Sequence, residues 1–420
     1  MDNPGVCAII RPMGLHGDIL IAGGALNGMT LALALARAGL GVIVVDPVPQ
    51  TVQSADDFDG RGYALALASQ RLLQAIGVWG GIAEKAQPLL DIRITDGRAG
   101  EGPSPFVLEF DHCDIDESPM GYMVEDRHLR RALSRALEDD PAITVLAGDS
   151  VIAQSPGPAG IEAELASGKR LRARVLAGCD GRRSQTAQRA GIGRKGWDYG
   201  QTALVCAIAH EKPHNGVAHQ FFMPPGPLAI LPLPGNRSSI VWTETHDQAA
   251  RIHRLGDDEY LEVLRPRFGD FLGAIALAGD RFSYPLNLTI ADRFFADRVA
   301  LVGDAAHGMH PIAGQGLNAG LKDVATLAEV LTLAHRRGED IGQANVLERY
   351  ERWRRFDVMT LAAATDTVNR MFSNDNPVLR LGRDIGLGLV NALPGLRRGL
   401  IREAAGLSGD LPRLLQGRPI

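Results

Sequence analysis

The chain has 420 residues, of which 45% are hydrophobic and 22% charged, and a formal net charge of −5. That composition is globular, and its mild acidity gives no reason to expect a nucleic-acid partner. Four scattered cysteines (Cys7, Cys113, Cys179, Cys206) contain no Cys-x-x-Cys spacing, which argues against a zinc site or a disulfide framework and fits a reducing cytosol.

At this length two interlaced domains or one large α/β unit are expected. No apolar run approaches the ~20 residues of a membrane-spanning helix. Residues 1–17 carry Asp2 and one short apolar patch at 6–10, so they read as a loose leader and not as a secretory signal. A cytoplasmic location is expected.

Residues 18–28, Asp-Ile-Leu-Ile-Ala-Gly-Gly-Ala-Leu-Asn-Gly, read as a buried strand entering a glycine turn. Helical spacing follows over 29–38 and stops at Gly39; a second strand over 41–45 ends on Asp46. Strand, glycine turn, helix, strand and acid make a βαβ dinucleotide-binding unit, with Asp46 placed 18 residues past Gly28 to hold a ribose hydroxyl. The G-x-G-x-x-G pattern is imperfect: Gly23-Gly24-Ala25-Leu26-Asn27-Gly28 has alanine at its second glycine position.

Asp59-Gly60-Arg61 then precedes Ala64, Leu65, Ala68, Leu72 and Leu73, a spacing that predicts a helix after a loop. Residues 91–119 start as a β-like stretch (91–96) and continue as an acidic, proline-bearing loop. Residues 122–126 lead into a helix carrying Leu129 and Leu133. Short β runs at 143–146 and 150–151 precede a hairpin turning near Ser167-Gly168. Residues 176–184, Leu-Ala-Gly-Cys-Asp-Gly-Arg-Arg-Ser, bring Asp180 and Gly181 to the end of a buried strand. Between 197 and 245, β-prone runs broken by Pro224-Pro225-Gly226 and Pro234-Gly235-Asn236 predict antiparallel hairpins.

An apolar run at 299–302 stops at Gly303-Asp304; Pro311 to Gly316 is a glycine loop, and Leu317, Gly320, Leu321, Val324 and Leu327 recur at helical spacing. This order delivers free backbone N–H groups and a positive dipole end at one point, which favours negative charge. His307 and His310 invite a metal reading, but no neighbouring Glu or Cys completes a ligand set, and no metal is expected. From residue 349 onward the chain reads as helices, with 12 Arg against 7 Asp+Glu, a local +5. An ordinary solvated helix face is one reading; docking on anionic lipid or an acidic partner is the other.

Gly303-Asp304-Ala305-Ala306-His307, with Pro311, Gly314-Gln315-Gly316 and Asn318, resembles the second flavin motif of the FAD-dependent aromatic hydroxylases, the class A flavoprotein monooxygenases. Residues 176–184 resemble their Asp-Gly motif. Gly196-Trp197-Asp198-Tyr199-Gly200-Gln201, Pro213-His214-Asn215-Gly216 and residues 226–233 resemble the ubiquinone-biosynthesis branch specifically. The resemblance runs from Asp18 to about Leu414. It implies an α/β fold in which a Rossmann-like βαβ FAD-binding domain (18–90, 120–190, 293–342) interlaces with a mixed, largely antiparallel substrate domain (91–119, 191–292), followed by a helical C-terminus (343–420).

The resemblance also implies roles. Asp304 would bond a ribityl or ribose hydroxyl, and Arg61 would reach the cofactor beside its ring. Val151 would lie near adenine, and Asp180 and Gly181 near the diphosphate. Pro311, Leu317 and Asn318 would line the flavin loop, with backbone at Gly314, Gln315 and Gly316 steadying the anionic reduced ring. Relatives carry Asn or Gln where Asp126 stands, so Arg127 is the alternative contact; they also carry Arg where Ala187 stands. His214 is either a base toward a phenol or a turn cap.

The function implied is hydroxylation of a prenylated phenol in ubiquinone biosynthesis through a flavin hydroperoxide, using O₂ and electrons from NAD(P)H or a reductase partner. Peripheral contact with the inner membrane face, or a complex with other quinone-biosynthesis enzymes, would suit such a substrate. A hydroxylase of a soluble phenol shares every cofactor motif. A lipid-binding scaffold with a degenerate flavin site is the non-enzymatic reading, motivated by Ala25, Asp126 and Ala187. A flavin halogenase is disfavoured because no Trp-x-Trp-x-Ile-Pro run is present.

Overall fold

The strand Ile19–Ala22 is apolar at every position and buried on both faces, as a central parallel strand must be. It pairs in parallel with Val42–Asp46 on one side and Val175–Gly178 on the other. Ile143–Ala147 extends the sheet beyond the first, Val299–Leu301 beyond the second, and Phe295–Ala296 closes that edge antiparallel. The computed structural model describes residues 14–49, 52, 58–100, 102–115, 119–373, 386 and 388–420. Most of the expected leader therefore lies outside the described residues.

This strand order puts three segments far apart in sequence side by side. Chain growth runs outward from Ile19–Ala22 in one direction and later in the other, so a topological switch lies between it and Val175–Gly178. Ligands of open α/β sheets sit at that point, outside the carboxyl ends of the strands. The helices Leu26–Arg37 and Gln315–Arg336 pack together over the sheet, and the long helix Ala344–Phe372 packs on the second of them.

A second, larger sheet is mostly antiparallel. Its order is His307–Gly308, Phe282–Ala291, Arg194–His210, Arg237–Thr245, Leu228–Leu233, Val217–Phe222, Asp91–Arg98 and Gly102–Asp111, with Ile275–Leu277 added beside Arg194–His210. The hairpins expected between 197 and 245 are present. One side of the sheet is closed by the helices His246–His253 and Asp257–Phe268, which bury Trp242, Tyr260, Leu264 and Phe268. His307–Gly308 belongs to the glycine-loop motif, so this motif is shared between the two sheets.

Two local expectations are corrected. Ala64 and Leu65 lie in a strand, Gly62–Ala66, paired with Gly121–Glu125, and the helix starts only at Leu67. An Ala/Leu run satisfies either period, and the partner strand decides it. Residues 102–111 form a strand paired with Asp91–Arg98, not a loop; Leu108 and Phe110 are buried while Glu109 is exposed, the alternation of a half-buried strand.

Candidate active site

Four strand ends meet at one edge of the parallel sheet. Gly23, at φ 104°, donates its N–H to Val45 O at 2.8 Å, and Cys179 N–H returns to Ala22 O at 2.7 Å. A Cβ on Gly23 would overlap the Cys179 carbonyl, and one on Gly28 would overlap the Gly23 carbonyl, so only glycine allows this approach of the first turn to the Asp-Gly segment. The helix Leu26–Arg37 opens at Ala25 with no side-chain cap and no acid in its first turn. Its N-terminal N–H groups and dipole are thus left facing the sheet edge, as an anion site requires. Ala25 has φ −78°, which any residue adopts, and its methyl is exposed, so the departure from the glycine pattern strains nothing here.

Asp46, buried at the end of its strand, accepts Gly24 N–H at 2.6 Å on one oxygen and Val48 N–H at 2.8 Å on the other. Asp180 is also used within the protein: it accepts Ser184 Oγ–H at 2.5 Å and Thr186 N–H at 2.9 Å, bracing the turn in which Gly181 takes φ 75°. Ala187, at the position where the family motif is expected to carry arginine, is fully buried and donates its N–H to Ser184 Oγ. Val151 is buried at the start of the strand Val151–Gly157.

Across the switch point, Gly303 turns at φ 61° and Gly314 at φ 64°. Gly314 heads the 22-residue helix Gln315–Arg336, which again has no side-chain cap and no acid in its first turn. A Cβ on Gly316 would point into open space, whereas one on Gly314 would sit 3.0 Å from Ala64 Cβ. The Gly314 N–H donates to Pro311 O at 3.0 Å, so the donors toward an anion begin with the helix proper, after Gly314. That narrows the expected 314–316 trio.

A buried network missed at the sequence level holds this loop. Asp323 Oδ2 accepts Gly303 N–H at 2.9 Å and His307 Nε2–H at 2.6 Å, while Oδ1 accepts Arg354 Nε–H at 2.7 Å. Tyr350, one turn before Arg354, donates its hydroxyl to Leu301 O at 2.7 Å. The long helix Ala344–Phe372 is thereby tied to the strand and turn that carry the glycine loop. An Asp on an apolar helical stripe was the available signal for Asp323; Arg354 sits among four arginines and had none.

Residues 16–365 match the model of the FAD binding domain family. Ubiquinone hydroxylase UbiL of Rhodospirillum rubrum is 46% identical over 406 residues, covering 96% of this chain and 93% of that protein. The chain belongs to the FAD-dependent ubiquinone hydroxylase family. The 3-demethoxyubiquinol 3-hydroxylase of Escherichia coli is 35% identical over 398 residues, 93% of this chain and 98% of that protein. Among solved structures, p-nitrophenol 4-monooxygenase PnpA of Pseudomonas putida shares the fold, with TM-score 0.77, 20% identity, and coverage of 94% of this chain and 98% of that one.

Several side chains assigned to the cofactor in this hydroxylase are committed to other protein groups. Arg61 grips Asp59 through Nε and Nη2, at 2.7 and 2.6 Å, and lies 3.3 Å from the buried Asp126, which Arg130 also holds. Arg127 pairs with the buried Glu125 at 2.8 Å and covers Phe58, beside Arg237, which takes the other Glu125 oxygen. Asp304 is paired with Arg182 at 3.0 Å. Asn318 is corrected to a positioning residue. Its Oδ1 accepts Ala66 N–H and Ser69 Oγ–H, and its Nδ2 donates to Ala64 O and Gly314 O, which exhausts the amide. His214 is the turn cap and not the base: Nε2 donates to Leu233 O at 2.8 Å and Nδ1 accepts Gly216 N–H at 3.0 Å, leaving no ring nitrogen to take a proton.

His307 and His310 do not converge. His307 faces Asp323, whereas the buried His310 packs edge-on against Tyr199 with ring centroids 5.2 Å apart. Both nitrogens of His310 lack a hydrogen-bond partner among the described residues, and buried polar groups of this kind mark places where a ligand or water belongs. Burial, assisted by the charge of Arg182, pushes His310 from 6.5 down to about 4. The unfolded chain therefore binds a proton on this ring near 6.5 and the folded chain only near 4, so acidification across that window favours unfolding, by an amount on the order of 3 kcal/mol. Urea titrations at several pH values should show this loss in the parent. The His310→Gln variant should lose less; what remains includes the share of His219, also pushed down to about 4 by burial.

Proposed function

We propose that this chain hydroxylates the aromatic ring of a prenylated phenol intermediate of ubiquinone biosynthesis, with FAD bound where the parallel strand ends meet. The observation carrying the reading is the convergence of Gly23–Gly28, Asp180–Gly181 and the Gly303–Gly316 loop at adjacent strand ends, joined to the identity with ubiquinone hydroxylases over nearly the whole chain. The group fits: two uncapped, acid-free helix starts supply N–H donors for anionic parts, and the glycines clear the main chain for close approach.

When bound, FAD supplies activation of O₂ and transfer of one oxygen atom to an electron-rich ring carbon. The protein's share is positional. The N-terminus of the helix Gln315–Arg336, uncapped and acid-free, would favour negative charge on the bound group through preorganised dipoles. The Asp323 network fixes the turn before that N-terminus, and Asn318 stitches it to the strand Gly62–Ala66. The large sheet would cover the substrate side of the site and keep water from it. His310, next to Pro311, offers unpartnered ring nitrogens to a substrate hydroxyl. In this proposal residues 18–90, 120–190 and 293–342 bind FAD, 91–119 and 191–292 cover the substrate, and electrons arrive from NAD(P)H or a reductase partner. Among the described residues no helix is long and apolar enough to cross a membrane.

Purified protein should be yellow, or become so on adding FAD, and should hydroxylate a prenylated phenol in preference to the same phenol without its tail. NAD(P)H alone and NAD(P)H with a cell-extract reductase fraction separate the two electron routes. Equal turnover of the short phenol would replace the substrate class. Colourless protein that takes up no FAD would favour the scaffold.

A further inference from the structure

The helix Ala344–Phe372 buries one face, turning Tyr350, Arg354, Val358, Ala362, Thr365 and Asn369 toward the protein. Its other face carries apolar groups into solvent. Phe356 is 78% exposed, Met359 45% and Met371 46%. Thr360, Ala363 and Thr367 between them are exposed too. At helical pitch these six positions fall within roughly 120° of one another and make one stripe about 22 Å long. Trp197, 44% exposed, continues it from the large sheet, held to the helix by its Nε1–H bond to Asp366 at 3.2 Å. A contiguous apolar patch of this kind on a folded protein marks an interaction surface.

The residue types say what kind. Phe, Trp, Met and Arg accumulate at the centre of protein–protein contacts, where other charge is depleted. Between Phe356 and Arg370 the stripe is uncharged, while Asp357 and Asp366 border it on either side. Asp357 is paired with Lys322 and Arg354, and Asp366 with Arg370. Carboxylates along both borders do not suit an anionic lipid surface.

Spacing says which protein. Counted from Ala363, Met359 and Thr367 are each four residues away, and Phe356 and Arg370 each seven. A second copy of the helix laid antiparallel about a twofold axis at Ala363 therefore sets Met359 on Thr367 and Phe356 on Arg370, at both ends. The Arg370 guanidinium lies over the Trp197 ring at 5.2 Å, and its side chain is still 63% exposed. An incoming Phe356 ring would stack on its outer side. The small side chain at the axis permits close approach of the two helices. In this register the two copies of Arg370 stand about 21 Å apart, beyond the ~8 Å screening length, whereas a parallel pair would bring them together.

We propose that the exposed face of Ala344–Phe372 pairs with the same face of a second copy of this chain, antiparallel about Ala363. The contact does not depend on the catalytic reading.

Sedimentation equilibrium of the full-length protein tests it. The parent should move from one to two chain masses as concentration rises. Phe356→Ser/Met359→Ser should weaken this association roughly 1,000-fold, since a twofold counts each loss twice, while keeping the parent's circular dichroism and flavin content. In a Cys7→Ser/Cys113→Ser background, Ala363→Cys should cross-link to its own copy on mild oxidation. Arg352→Cys, about 33 Å from its copy, should not. A parent that stays monomeric overturns the proposal, as does a dimer indifferent to Phe356→Ser/Met359→Ser or one cross-linked through Arg352→Cys. Capture of another protein, or flotation with lipid vesicles, by a monomeric parent in a Phe356-dependent way would assign the stripe to that partner instead.

Discussion

Replacing Asp323 with asparagine is expected to lower the unfolding free energy by about 3–5 kcal/mol, the usual cost of breaking one side of a buried ion pair. Asp323 is fully buried. Burial alone would raise its pKa, but His307 and Arg354 outweigh burial and hold the carboxyl below its ordinary value. Arg354 is buried too, and its remaining carboxylate, Asp357 at 3.0 Å, is shared with Lys322. An amide at 323 would remove the charge that compensates the guanidinium and turn an N–H toward other donors. Urea unfolding at neutral pH measures the loss. Adding Arg354→Met to the asparagine variant should cost much less than in the parent, because the orphaned charge leaves with it. Parent and variant should converge as pH falls below about 3.8, where a carboxyl with a depressed folded-state pKa gives up its contribution. A neutral-pH difference under about 1 kcal/mol would mean that the network does not hold the turn.

Sequence period exposed the skeleton of this site and left its wiring hidden. The strand–glycine–helix–strand unit was legible because Ile19–Ala22 is continuously apolar and bounded by glycine, a pattern that tolerates few other folds. The hairpins of the large sheet were legible because proline–glycine breaks punctuate them. What failed to show was pairing across long sequence distances. Asn318 looked like a ligand group in its motif, yet its partner Ala66 N–H lies 252 residues away, and no local pattern announces that bond. Arg354 looked like one cation of a solvated run, because nothing around it reveals a carboxylate facing it from another helix. Gly62–Ala66 looked helical because alanine and leucine satisfy either period until a neighbouring strand selects one. Polar residues in motifs were therefore read as contacts to a ligand when several are contacts that shape the place for it.

Gly28→Ala separates that shaping from helix propensity and is expected to weaken flavin binding. In an exposed helix the change would stabilise by about 1 kcal/mol, since alanine is the better helix former. Here the new Cβ points at the Gly23 carbonyl oxygen, main-chain material that cannot rotate away. Gly23 is itself fixed by its N–H bond to Val45 and by close contact with Cys179, so relief must come from opening the glycine turn. Overpacking of this kind costs about 1–3 kcal/mol, enough to cancel the propensity gain and displace the N–H of Gly24 from Asp46. Converted to affinity, the same range weakens FAD binding roughly 5- to 150-fold. Ala25→Gly is the matched control: its methyl is exposed and its backbone ordinary, so flavin content should stay at the parent level. Fluorescence titration of flavin-free protein with FAD reads both variants. Parental affinity in Gly28→Ala would show that the first glycine turn does not face the dinucleotide, whereas loss in both variants would point to a pyrophosphate path running over Ala25.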